Sequence, residues 1–194
     1  MGQLSFFSAE SVPPAITDLS GLLAGPGQVV TSGPGARVSV VVDADWRTRP
    51  IAVLIEETGC SAEITTSDEG HPLVRTAVDE ALAPLASQWT RGAIKSVPLG
   101  WVPGPRELRI WALAAGYGEN GGERFVLGLD PRAPDTHAPL AQALIRAGIA
   151  PTMIGTRGAN PGLRITGRRR LTRLAENIGE PPPDVDPAIG WPLW

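Results

Sequence analysis

Apolar side chains along the chain follow two rhythms, the three-to-four-residue spacing of a buried helix face and the alternation of a half-buried strand. The order of those rhythms is the same in both halves of the 194 residues. A first helix is predicted near Ile16–Ala24 and again near Glu107–Ala115, each running into a glycine. A hairpin follows, Gln28–Thr31 with Arg37–Val42 around SGPG, and a strand near Tyr117 with Arg124–Leu129 around ENGG. A second helix is predicted over Arg47–Thr58 and Thr136–Ala147, stopped by Gly59 and Gly148. In the second copy Asp135 or Thr136 should cap it and Pro139 sits in its first turn. Another hairpin spans Ser61–Thr66 with Leu73–Ala77, matched by Ala150–Gly155 with Gly162–Thr166. A third helix, Asp79–Gln88 and Arg168–Asn177, sets Leu82, Leu85 and Trp89, or Leu171, Leu174 and Ile178, on one face.

Placing residue i on residue i+89 aligns Pro50–Trp89 with Pro139–Ile178 without a gap, and 8 of the 40 pairs are identical. Among them are Gly59/Gly148, Pro72/Pro161, Arg75/Arg164, Leu82/Leu171 and Leu85/Leu174. The fold class that follows is α+β, built from tandem duplicated αββαββα units. The boundaries are an N-terminal segment (1–15), a first unit (16–90), a linker (91–105), a second unit (106–180) and a Pro- and Trp-bearing tail (181–194).

The helix that opens each half carries small residues at helical spacing, LSGLLAGPG at Leu19–Gly27 and LRIWALAAG at Leu108–Gly116, which lets two helices pack backbone to backbone. These nonapeptides, each opening an αββαββα unit, resemble the LAGLIDADG homing endonuclease family. Leu19, Gly21, Leu22, Leu23 and Gly27 fall in register with the motif, the second copy keeps Leu108 and Gly116, and GLRITGRRRLTRLAENIG is similar to the family's closing strand and helix. The resemblance covers about residues 16–180. It implies two sheets forming a saddle, helices on one face and DNA on the other. It also implies catalysis by one acid from the eighth position of each motif, because a hard divalent cation needs oxygen ligands. Those positions are Pro26 and Ala115 here, and the sixth positions are Ala24 and Leu113, so the expectation is a chain without nuclease activity, metal or other cofactor. A LAGLIDADG domain without its acids is also similar to that of the WhiA-type bacterial regulators. Too few residues follow Gly179 for the helix-turn-helix domain of that pattern.

Charge bears on the partner. Residues 1–100 carry 6 basic against 11 acidic side chains, residues 101–194 carry 11 against 9, and Thr136–Ala175 holds seven arginines and no acid. On the open sheet face, strand alternation leaves Arg37, Ser39, Glu63, Thr65 and Arg75 in the first unit, and Arg124, Thr152 and Arg164 in the second. Val38, Val40, Val42, Ile64, Val74 and Thr76, with Phe125, Leu127, Leu129, Met153, Leu163 and Ile165, should face the helices. Arg37/Arg124 and Arg75/Arg164 thus occupy equivalent places, and with Arg157, Arg168, Arg169, Arg170 and Arg173 they are the candidate phosphate contacts. The sequence pI of about 5.4 and the acids Glu63, Asp68 and Glu69 make any DNA binding modest, salt-sensitive and weighted to the second half.

Other chemistry finds little support. His71 and His137 have no ligand partners at zinc spacing, and no nucleophile motif or small-molecule substrate is inferred. Cys60 reads as core, and Trp46, Trp89, Trp101 and Trp111 as core or linker anchors. Trp191 and Trp194 could dock on the parent domain or on a protein partner. The function expected is a nuclease-dead, DNA-binding protein with a regulatory or DNA-maintenance role. The alternative is a protein-interaction scaffold using the acidic first half and the Trp tail. The N-terminus lacks a basic, apolar leader pattern and no segment reaches about 18 apolar residues, so a cytoplasmic protein without membrane contact is expected.

Overall fold

The computed structural model describes residues 8–183, 185 and 190–192. The first unit runs α1 (Ser20–Ala24), β1 (Gln28–Ser32), β2 (Gly35–Val41), α2 (Thr48–Glu57), β3 (Ala62–Thr66), β4 (Pro72–Thr76) and α3 (Ala83–Trp89). A two-stranded ribbon follows, β5 (Thr90–Arg91) and β6 (Ile94–Lys95). The second unit runs α4 (Pro105–Ala115), β7 (Gly116–Glu119), β8 (Arg124–Gly128), α5 (His137–Arg146), β9 (Thr152–Ile154), β10 (Gly162–Thr166) and α6 (Arg168–Ile178).

The duplication is visible in the sheets. One has the order β1-β2-β4-β3 and the other β7-β8-β10-β9, all pairs antiparallel. The joint after the central strand is also repeated, since Val42 N–H donates to Pro72 O and Leu129 N–H to Pro161 O, each at 2.9 Å. Alternation sorts the faces as the sequence predicts for Val38, Val40, Val42, Val74 and Thr76, and for Phe125, Leu127, Leu129, Leu163 and Ile165, all buried. Ile64 and Met153 differ. Register places them opposite Val74 and Leu163, on the helix side, yet they are 46% and 42% exposed. Both lie on β3 and β9, the outermost strands, where the helix layer no longer covers the sheet.

Several predicted element ends also shift. The first helix is a single 3-10 turn, Ile16–Leu19, that widens into the five-residue α1, and the third begins as a 3-10 turn at Glu80, where Asp79 accepts the Ala81 N–H. Thr136 does not cap α5 with its side chain. Its hydroxyl donates to Ala133 O within a preceding 3-10 turn. Gly59 and Gly148 do end α2 and α5, with φ of +90° and +78°. The linker contains the β5–β6 ribbon, which periodicity could not show in strands of two residues. Cys60, Trp89 and Trp111 are buried, as expected.

The two motif helices form the centre of the molecule. Every residue of α1 is buried, as are seven of the eleven residues of α4. They touch at Gly21, where a Cβ would overlap the Glu107 carbonyl oxygen and press on the Ile110 side chain at 3.0 Å. A glycine is required there because backbone, not a side-chain end, is the neighbour. Gly21→Ala is therefore expected to lower stability by about 1–3 kcal/mol, read by denaturant unfolding, through overpacking. Gly33→Asn is the contrasting case: Gly33 has φ of +58° and open space, so that change should cost under about 1 kcal/mol.

Candidate nucleic-acid interface

Helix carboxyl ends leave carbonyl oxygens without partners and carry partial negative charge. In α1 and α4 those ends are buried, and each is met by a buried cation. Lys95 Nζ donates to Gly25 O and Gly27 O, both at 2.7 Å, and lies 3.1 Å from Asp130 Oδ2. Its two backbone acceptors flank Pro26. On the other helix, Arg47 Nη1 donates to Leu113 O at 2.8 Å and Ala112 O at 3.3 Å, and Nη2 to Gly116 O at 2.8 Å. The Arg47 Nε donates to Asp43 Oδ1 at 2.6 Å. Both cations are nearly inaccessible, with exposures of 9% for Lys95 and 1% for Arg47.

The carboxylates are positioned by the repeat. Asp43 and Asp130 both follow the central strand of their sheet, and each belongs to the cation on one helix end. Asp130 is further fixed by Gln28 Nε2 at 2.6 Å and by the Arg132 N–H at 2.9 Å. His137, buried at the start of α5, contacts the Asp130 carbonyl through Nε2 at 2.7 Å, so it is a structural residue of this corner. Burial pushes the Lys95 ammonium down to about 8, against the opposing pull of Asp130. Sequence reasoning missed both cations, reading Lys95 as linker and Arg47 as the start of a helix. One signal was available for the first: Lys95 is the only lysine in the sequence.

The open face holds the symmetric arginines, but two of them are already paired. Arg75 Nε donates to Glu63 Oε2 at 2.7 Å across directly opposed positions of β4 and β3. Arg164 grips Glu119 with two bonds, Nε to Oε2 at 2.7 Å and Nη2 to Oε1 at 3.0 Å. Those guanidinium groups hold the Glu63 and Glu119 carboxyls below the usual carboxylate range. Arg37 is partly buried and its Nε has no partner among the described residues. Arg124 sits opposite Glu119 in the β7–β8 pairing. At the centre of the saddle a cavity of about 680 Å³ opens beside Pro26, lined by Asp68, Glu69, His71 and Arg132 among others.

The remaining arginines lie elsewhere. Arg157 is exposed in the β9–β10 turn. Arg168, Arg169, Arg170 and Arg173 are exposed on α6 and line a cleft of about 1010 Å³ whose other wall is Gly148, at the end of α5. That cleft is on the helix side of the second sheet, so the run does not back the open-face arginines as the sequence reading had it. Arg173 Nε is used on Ala147 O at 2.8 Å, whereas Arg168 and Arg169 make no ion pair among the described residues. In the tail, Trp191 is 8% exposed and docked on its own domain: its Nε1 donates to Gly179 O at 3.0 Å and the Arg109 guanidinium lies 5.8 Å from its ring centre. Trp194 lies outside the described residues. Among the described residues no helix is long and apolar enough to cross a membrane.

Comparison with known proteins rests on structure, since no family model and no curated protein matches the sequence. The fold is similar to that of the homing endonuclease I-WcaI bound to its DNA recognition sequence, with TM-score 0.62 and 13% identity over 100% of this chain and 88% of that one. It is similar to full-length WhiA from Thermatoga maritima, with TM-score 0.60 and 16% identity over 84% of this chain and 54% of that one. The chain therefore spans about half the length of that WhiA. The N-terminal LAGLIDADG domain of WhiA gives TM-score 0.56 at 16% identity, over 86% of this chain and 82% of the domain. The fold is LAGLIDADG-like: α+β, with duplicated units and antiparallel sheets.

Lys95 makes a testable contribution to pH dependence. Its pKa is about 8 in the folded chain and roughly 10.4 when unfolded, so between those values the unfolded chain binds more protons and stability rises with pH. From about pH 7.5 to pH 9.5 the unfolding free energy should gain on the order of 2 kcal/mol from this group. The same denaturation series on Lys95→Met should lose that rise.

Proposed function

From the LAGLIDADG-like fold, we propose that the chain is a nucleic-acid-binding protein that does not cut DNA, acting in regulation or DNA maintenance. The observation that carries this reading is the pair of buried cations at the carboxyl ends of α1 and α4. In the family this chain resembles, metal-binding acids stand at the motif positions held here by Pro26 and Ala115. Neither side chain offers an oxygen, and the adjoining carbonyls already serve Lys95 and Arg47. A divalent cation brought there would have to displace Lys95 and Arg47 from those carbonyls and compete with them for Asp130 and Asp43, the carboxylates they already hold. The residues present do not fit the metal, and no step of a cleavage reaction is derived for this chain.

Binding itself is supported by the similarity to an endonuclease in complex with DNA, and by the surplus of arginine over acid in the second unit. The ion pairs set its character. With Arg75 and Arg164 held by Glu63 and Glu119, phosphate must compete with a carboxylate at two of the four symmetric positions. Arg37, Arg124 and Arg157 are left to make the contacts, with the α6 arginines displaced to the helix side, so affinity comes from few phosphates. The alternative of a tail-mediated scaffold is not favoured, because Trp191 is occupied by Gly179 and Arg109 of its own chain.

Fluorescence anisotropy with a labelled duplex tests the reading. Affinity should fall by one to two orders of magnitude between about 50 and 200 mM salt, as expected for roughly two to four neutralised phosphates. No binding at the lower salt would defeat it. Replacing Arg157 with alanine should weaken binding by about threefold to tenfold with the melting temperature unchanged, because that side chain is exposed, and by more than the same change at Arg168, Arg169 and Arg170 on the helix side.

A further inference from the structure

A second concavity lies on the helix side, between α2 and α4, with a volume of about 690 Å³. Its apolar lining comes from Val12, Pro50, Val53 and Leu113, and the N-terminal segment and Pro182–Pro183 close its ends. The duplication explains why it is there. Each motif helix is preceded by a connecting strip, residues 8–15, with a 3-10 turn at Ala9–Ser11, before the turn leading to α1 and residues 96–104 before α4. At the 89-residue offset Val12 corresponds to Trp101, Arg109 to Ser20, Glu57 to Arg146 and Pro50 to Pro139.

The counterpart of this groove is filled. Trp101 is partly buried against the core, its Nε1 donates to Ser20 Oγ at 3.2 Å, and its carbonyl accepts from Arg146 Nη2 at 3.0 Å. Its ring meets Trp89 edge to face at 5.0 Å. Those two polar partners, Ser20 and Arg146, are the equivalents of Arg109 and Glu57, which line the open groove. One unit thus closes its groove with an indole, and the other places a valine at that position and stays open among the described residues.

Charge around the open groove is unequal. Glu57 is bound to Arg106 at 2.7 Å, and Glu10 lies 3.6 Å from Arg109. Arg49, exposed at the rim, makes no ion pair among the described residues and is the cation left over. We propose that this groove is a binding site for a small aromatic carboxylate, whose ring takes the place that Trp101 fills in the other unit and whose carboxylate meets Arg49. The volume lies within the roughly 300–1,000 Å³ usual for ligand pockets, and an apolar wall with a few polar groups, here Arg49 beside the paired Glu10, Glu57, Arg106 and Arg109, is the usual composition of such a site. The site is independent of DNA binding and of the open sheet face.

Isothermal titration of the full chain with indole-3-propionate tests the proposal, with tryptamine and propionate as the amine and ring-free controls. One saturable site is expected for the aromatic acid, with the two controls weaker by about tenfold or more, the size of a lost charged hydrogen bond or buried ring. Val12→Trp should abolish binding and raise the melting temperature, since the chain then fills its own groove. Arg49→Glu, at an exposed position, should weaken binding by about tenfold without altering stability, which keeps the test valid if Val12→Trp does not fold. Three results would overturn the site: no saturation, equal binding of tryptamine, or unchanged binding in both variants. A gain of about tenfold in a Phe6→Ser, Phe7→Ser chain would also overturn it, by showing that the N-terminus is the occupant.

Discussion

The contact between α1 and α4 at Gly21 is the constraint on which the rest of the molecule depends. Two backbones can approach that closely only where one helix has no side chain, and the approach buries both helices almost completely. Burial then creates an electrostatic requirement. Each helix ends in carbonyl oxygens shut away from water, and a buried acceptor without a donor costs on the order of 1–3 kcal/mol. Arg47 of the first unit meets that requirement at α4 of the second, and Lys95 of the intervening ribbon meets it at α1 while holding Asp130 of the second unit, so the same interactions that satisfy the helix ends also tie the halves together.

What the sequence made legible follows from local physics. Helix and strand periodicities, the 89-residue offset and the glycine stops need only short-range patterns, and they led to the series of elements in each unit and to the buried faces of β2, β4, β8 and β10. The motif helices were legible because small residues at helical spacing have few other uses. The cations were not, because neither lies in a motif: Lys95 comes from a two-residue strand and Arg47 from a 3-10 turn, and each reaches across some 65–70 residues of sequence. The pairing of Arg164 with Glu119 was hidden for a similar reason. Alternation says which face a residue takes, but not which neighbour two strands away will reach it.

Where charge sits also separates this chain from a strongly basic DNA binder. The open face is self-neutralised at Arg75 and Arg164 and acidic at its centre near Asp68 and Glu69. The unpaired arginines are displaced to the β9–β10 turn and to the helix side around α6. A duplex laid on the saddle would therefore be held at few points, consistent with modest, salt-sensitive association. The two units, nearly superposable in strand order, have diverged in what surrounds them: one strip supplies Trp101, the other Val12, and the tail adds Trp191 to the second unit alone.

In the proposed function, Lys95 and Arg47 stand at the ends of the helix pair where a metal would otherwise sit. Amide NMR with sub-stoichiometric Mn²⁺, in the presence of bound duplex, reads that point directly through the signals of Gly27 and Gly116. Both signals should remain as sharp as those of distant amides. Selective broadening of the pair would place a metal between the helix ends and contradict the account.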